Sequence, residues 1–187
     1  MTGFLRMLLV STLAFVALVA SGCGERHEIT VGETEGIYID NGGLRYQVQI
    51  SRVLNPAEPE DAEYLAGVPE SEAPGPEETW FAVFMRVANT SGETHESAEE
   101  FEIVDTQKKV YEPLEIDPQL NPWVYQPAAL GPQGLLPEVN SAQFNGTTRG
   151  ALLLFKVTLQ SLQNRPLELE FHSPDDPEEI GIINLDV

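Results

Sequence analysis

The sequence predicts an all-β fold, a β-sandwich of about seven strands with two long loops. Three observations lead there: short runs that alternate apolar and polar residues with period two, two longer runs that are apolar on both alternating sets, and no segment with a convincing 3.6-residue period.

The first 23 residues are export chemistry rather than fold. Arg6 lies in a short n-region, Met7 to Ala20 is apolar apart from Ser11 and Thr12, and Ala20-Ser21-Gly22-Cys23 closes the segment. An apolar run of about 14 residues suits a signal-peptide core and falls short of the roughly 20 that a spanning helix needs. Polar Gly24-Glu25-Arg26-His27-Glu28 then opens a brief tether. The expected division is a signal peptide over 1–22, Cys23 and the tether over 23–35, and the sandwich domain over 36–187.

Within the domain, Leu44, Tyr46, Val48 and Ile50 alternate with Arg45, Gln47, Gln49 and Ser51, the mark of a strand with one wet face. Thr79–Asn89 is apolar on both sets and reads as a central strand covered on both sides or packed against a neighbouring loop. Phe101–Val104 and Lys109–Glu112 flank a short Asp105-led connection and read as a hairpin. Periodicity alone leaves Arg149–Leu159 open to a buried helix, but Phe155, β-branched Val157 and Thr158 and the all-β company favour a strand. Two alternating runs, Leu167/Leu169/Phe171 and Ile183/Leu185/Val187, complete the seven.

The long connections differ in kind. Residues 55–78 hold five Pro and eight Asp or Glu with no basic residue, so this segment is expected to bury little and to form a mobile or extended excursion. Residues 116–148 carry Leu120, Trp123, Tyr125, Leu130, Leu136 and Phe144, so this loop is expected to pack on the sandwich, with room for a short helical turn.

The chain of 187 residues has 10 Lys+Arg against 30 Asp+Glu, a formal charge of -20. That excess repels phosphate backbones, which excludes nucleic acid as a favoured partner. The single cysteine rules out an internal disulfide, so a core must hold the fold. Neither G-x-S-x-G nor a P-loop occurs. His27, His95 and His172 lie in separate segments without metal-ligand spacing, so no catalytic residue, metal site or cofactor is expected. Acidic groups around Glu58–Glu63 and Asp175–Glu179 admit a calcium reading, against the commoner one of solvated loop charges. Trp123 and Tyr125, two apart in a Pro-flanked segment, are the candidate binding surface if they point the same way, and plugs for an open end of the sandwich otherwise; the need of a long loop for apolar anchors favours the plug.

Two resemblances add to this. Leu18-Val19-Ala20-Ser21-Gly22-Cys23 resembles the lipobox of bacterial lipoproteins. That likeness implies a diacylglyceryl group on the Cys23 thiol, removal of residues 1–22, and a protein anchored in the cell membrane on its extracytoplasmic side. The blocks GGLRYQVQISRV, ETWFAVFMRVANTSGE, FEIVDTQKKVYEP and GALLLFKVTLQSLQNRPLELEF look like, in order, those of a family of uncharacterised immunoglobulin-like domains of bacterial lipoproteins, akin to the immunoprotective extracellular antigen. This implies an immunoglobulin-like sandwich and brings no catalytic residues with it. The expected function is a lipid-anchored binding or interaction module, not an enzyme, whose partner is an envelope protein or polymer. The alternatives are a surface metal-dependent or carboxylate hydrolase and a passive accessory subunit of an envelope complex.

Overall fold

The computed structural model describes residues 28–185. Its strands are β1 (Glu28–Gly32), β2 (Ile39–Asn41), β3 (Leu44–Val53), β4 (Glu78–Ala88), β5 (His95–Glu96), β6 (Phe101–Val104), β7 (Val110–Tyr111), β8 (Ala129–Leu130), β9 (Leu135–Leu136), β10 (Ala151–Thr158), β11 (Leu167–His172) and β12 (Glu179–Leu185). Two short helices, α1 (Pro59–Tyr64) and α2 (Ala142–Asn145), sit in the long connections. The strands form a β-sandwich. One sheet runs β2-β3-β4-β10, with β9 also on β4; the other runs β1-β12-β11-β6-β7; β5 and β8 make a two-stranded ribbon. All pairings are antiparallel except β1 with β12.

The seven strands expected from sequence are β3, β4, β6, β7, β10, β11 and β12. Residues 28–32, assigned above to the tether, add β1 along the edge of β12. Tyr46 from one sheet packs on Phe171 from the other with ring centroids 4.6 Å apart, and the core between the sheets continues through Phe81, Met85, Phe155 and Ile103.

Strand β4 shows why its sequence is apolar on both sets. Phe81, Val83, Met85 and Val87 enter the core between the sheets, while Ala82 and Phe84 join a second buried cluster on the outer face. β10 does the same with Leu153, Phe155 and Val157 inward and Leu152 and Leu154 outward. Gly150, which precedes β10, has φ +130°, and a Cβ there would lie 2.9 Å from the Phe84 carbonyl carbon, so only glycine lets β10 start this close to β4.

Two expectations need correction. Ile50 is 40% exposed, because the β3–β4 register shifts between Val48 and Ile50; the extra residue reverses the phase and buries Ser51 instead. The acidic excursion 55–78 is built into the fold. Within α1, Asp61 is buried and accepts from Arg52 Nη2 at 2.5 Å and from the Asn55 amide at 2.7 Å. Tyr64 is 1% exposed, its ring 4.9 Å from Phe84 and 5.1 Å from Trp123. Averaging over the Pro- and acid-rich stretch hides these anchors. The two long connections also join each other: Asn121 Nδ2 donates to the carbonyls of Tyr64 and Ala66, at 2.8 and 3.0 Å. Together they cover the outer face of β4 and β10.

Candidate functional site: a cleft at the sandwich edge

Cys23, the residue expected to carry lipid, lies outside the described residues. Trp123 and Tyr125 do not form a shared surface. Tyr125 is 7% exposed, stacks edge-on against Phe101 in the main core, and donates its hydroxyl to the Ala98 carbonyl at 2.9 Å. Trp123 belongs to the outer cluster against Tyr64. The period-two expectation fails because Asn121 Oδ1 accepts from the Trp123 amide at 3.0 Å, turning the chain there out of the extended pleat. Both rings act as anchors.

His27 lies outside the described residues, and His95 and His172 have different partners. His95 Nδ1 lies 3.8 Å from Asp175 Oδ2, and His172 Nδ1 contacts the Pro177 carbonyl. Several acids of the two clusters hold local structure: Glu60 accepts from the Tyr64 hydroxyl, Asp176 from the Glu178 amide, and Glu179 from the Gly42 amide. Among the described residues no group of three or more His, Cys, Asp or Glu converges as a metal ion would require.

What the fold does assemble is a cleft of about 520 Å³ where the edges of the two sheets face each other, β10 on one side and the start of β6 on the other. Two straps cross this edge. Residues 113–117 run beside β10, with the Leu114 amide donating to the Leu154 carbonyl at 2.7 Å. The second strap, 123–125, is held by the Leu152 amide donating to the Trp123 carbonyl at 2.7 Å and the Tyr125 amide donating to the Leu152 carbonyl at 2.8 Å. These bonds satisfy backbone groups that an unpaired edge strand would expose. The straps do not close over each other, and the gap is the cleft.

Its floor is apolar: Phe101, Leu114, Val124 and Leu152–Leu154. Its rim is acidic, with Glu99, Glu115 and Asp117, all exposed. A second hollow of about 450 Å³ shares Glu99, Phe101, Pro113 and Glu115 and adds Glu100, Glu102 and Glu112. Among the described residues no Lys or Arg lines either one.

Glu99 is set in place by its neighbour. The Ala98 amide donates to the Tyr46 hydroxyl at 2.8 Å while the Ala98 carbonyl accepts from Tyr125, so two core phenols clamp the backbone of one residue from both sides. Burial, reinforced by the charges of Glu179 and Asp175, pushes the Tyr46 phenol up to about 12. Burial likewise raises Tyr125, with Tyr46 and then Glu99 adding to it. Both phenols therefore stay neutral hydrogen-bonding groups. Sequence reasoning missed the rim. The available signal is the alternation of Leu114 and Ile116 with Glu115 and Asp117, a half-buried extended strap leading into the connection 116–148.

No protein-family model matches the chain, and no curated protein does. Among solved structures, it is similar to the yjhA protein of Bacillus subtilis (TM-score 0.48, 8% identity, covering 82% of this chain and 99% of that one). It is also similar to an uncharacterised β-sandwich protein of Clostridium difficile (TM-score 0.46, 10% identity, covering 87% and 99%). A third likeness is to ycdA of Bacillus subtilis, described as a candidate lipoprotein (TM-score 0.47, 10% identity), where the match covers 80% of this chain and 38% of that one. At these identities the likeness concerns fold alone.

Proposed function

We propose that this protein is a lipid-anchored, extracytoplasmic binding module with an immunoglobulin-type sandwich, and that the cleft at the β6/β10 edge is its recognition surface. The observation that carries the binding role is the cleft itself, a concave apolar floor with a few polar groups converging on its rim, the general form of a ligand site. The immunoglobulin-type reading is supported by topology. β3, β4 and β10 share one sheet and β6, β11 and β12 the other, so in chain order the six strands occupy the places of A, B, C, E, F and G in that fold.

The anchor reading is supported by Cys23 behind Ala20-Ser21-Gly22. Lipid chains contribute about 0.8 kcal/mol per buried CH₂, so a diacylated cysteine holds a protein at a bilayer without a spanning helix. Among the described residues no helix is long and apolar enough to cross a membrane. The test expresses the full chain with radiolabelled palmitate. Wild type should be labelled and sediment with membranes, and Cys23→Ala should be unlabelled and released; label that persists in the variant sinks the anchor. For the binding role, a photo-crosslinking amino acid placed at Leu114 should give discrete adducts in intact envelopes that the same group at Thr90, exposed in the turn after β4, does not. Identical patterns from the two positions would remove the cleft from the proposal.

A further inference from the structure

The hollows at the β6/β10 edge form one continuous groove, since the larger and the smaller share Glu99, Phe101, Pro113 and Glu115. A continuous groove along a sheet edge suits an extended chain better than a compact ligand. Its chemistry is two-layered: aliphatic surface from half-buried Leu114 and Val124, backed by the buried Leu152–Leu154, below, and carboxylates of Glu99, Glu115 and Asp117 above. Lysine and arginine side chains have this same division, an apolar stem and a charged head.

Among the described residues no base pairs with the rim charges. The ion pairs among the described residues are Arg45–Asp40, Arg52–Asp61, His95–Asp175, Lys108–Glu168 and Lys156–Glu72, and none involves a groove carboxylate. Among the described residues the Asp117 carboxylate accepts only a local amide bond, from Gln119 at 2.8 Å, which fixes it without neutralising it. A bare divalent cation fits poorly, because among the described residues no three carboxylates converge as such an ion would require.

We infer that the groove takes an extended segment of a partner protein carrying lysine or arginine, with the stems on the leucine and valine floor and the charged heads against Glu99, Glu115 and Asp117. The inference rests on the reading of the chain as a binding module and names what the groove binds. Charge complementarity supplies both the choice of partner and a fast, salt-sensitive encounter.

The test uses the full chain in non-ionic detergent and a fluorescein-labelled peptide, Gly-Lys-Leu-Lys-Leu-Lys-Gly, read by fluorescence anisotropy. A protein this acidic attracts any polycation, so the controls must separate site from bulk charge. One variant neutralises the rim (Glu99→Gln, Glu115→Gln, Asp117→Asn). A second removes the same charge elsewhere (Glu58→Gln, Glu63→Gln, Glu70→Gln). A third, Val124→Arg, fills the floor with a cation. The rim variant should weaken binding about tenfold or more with an unchanged melting temperature, the distant variant by less than about twofold, and Val124→Arg should abolish it. The same peptide with Glu in place of Lys should not bind.

Equal weakening by the rim and distant variants would reduce the effect to diffuse charge and overturn the inference, as would no binding by wild type. Failure of the inference and failure of the binding-module reading are separable. If the Leu114 crosslinks persist in the rim variant, the protein still binds through the groove, and only its preference for basic segments is wrong.

Discussion

At the residue scale a heavily committed side chain is Asp105, in the turn between β6 and β7. It is 2% exposed, yet its carboxylate accepts from the amides of Gln107 (2.8 Å) and Lys109 (3.0 Å), from Ser161 Oγ (2.7 Å) and from Asn164 Nδ2 (3.2 Å). Ser161 is bonded in turn to Tyr111, so one anion joins the β6–β7 turn to the segment after β10. Burial by itself would raise this carboxyl. The donors, led by Lys109 and Ser161, outweigh burial and hold it at about 2 against an ordinary 3.8. A depressed folded-state value means that this contribution is fully present above the unfolded value and lost as pH falls through the folded one, here between about 4 and 2. Urea unfolding of wild type across that range should therefore show a loss of stability that is smaller in Asp105→Asn. At pH 7 the substitution should cost about 2 kcal/mol, because it strands donors that the carboxylate satisfied. Equal pH slopes in the two proteins would show that the loss comes from other carboxylates.

At the scale of elements, the long connections decide what the outer face of β4 and β10 looks like. α1 is far too short to be stable alone and has no side-chain cap, so its order comes from tertiary contacts. Tyr64 supplies them, inserted between Phe84 and Trp123, and Arg52 adds a guanidinium on Asp61. Tyr64→Ala should destabilise the protein by about 3 kcal/mol and open residues 55–78 to limited proteolysis, whereas Glu63→Ala, on the exposed side of the same helix, should change neither. If protease cuts the wild type in this segment as fast as the variant, the excursion is not docked as described.

For the whole molecule the governing quantity is the formal charge of -20. Few of those charges are matched by a base, so the compact state carries self-repulsion that the expanded chain relieves. Raising NaCl from about 0.01 to 0.15 M shortens the screening length from about 30 to 8 Å. Stability should then rise by about 1 kcal/mol, or about 3 °C in melting temperature for a domain of this size. The same salt step should weaken peptide binding at the groove. Opposite responses of stability and binding to one variable are the signature expected when carboxylates repel each other in the fold and attract a basic partner at the rim. A melting temperature that falls with salt would place the net electrostatics on the favourable side instead.

All seven expected strands were legible in the sequence because alternation of side chains across a pleat is a local property: Leu167, Leu169 and Phe171 read as a buried face without any knowledge of their partners. The doubly apolar run of Thr79–Asn89 likewise announced that β4 is covered on both faces or packed against a loop, although not by which residues. Composition by itself also determined the absence of an internal disulfide and the strong negative charge. Tertiary structure decided the rest. A one-residue bulge turned Ile50 outward, an Asx turn at Asn121 sent Trp123 and Tyr125 into different clusters, and Tyr64 docked a segment whose average composition suggested exposure. The groove belongs wholly to this second class. Glu99 comes from the segment before β6 and Glu115 and Asp117 from the strap after β7, with no motif joining them, and they meet only because the start of β6, which β7 does not cover, comes to face the edge strand β10. Periodicity reports which way a side chain points relative to its own backbone; it carries no information on which other edge that backbone will face.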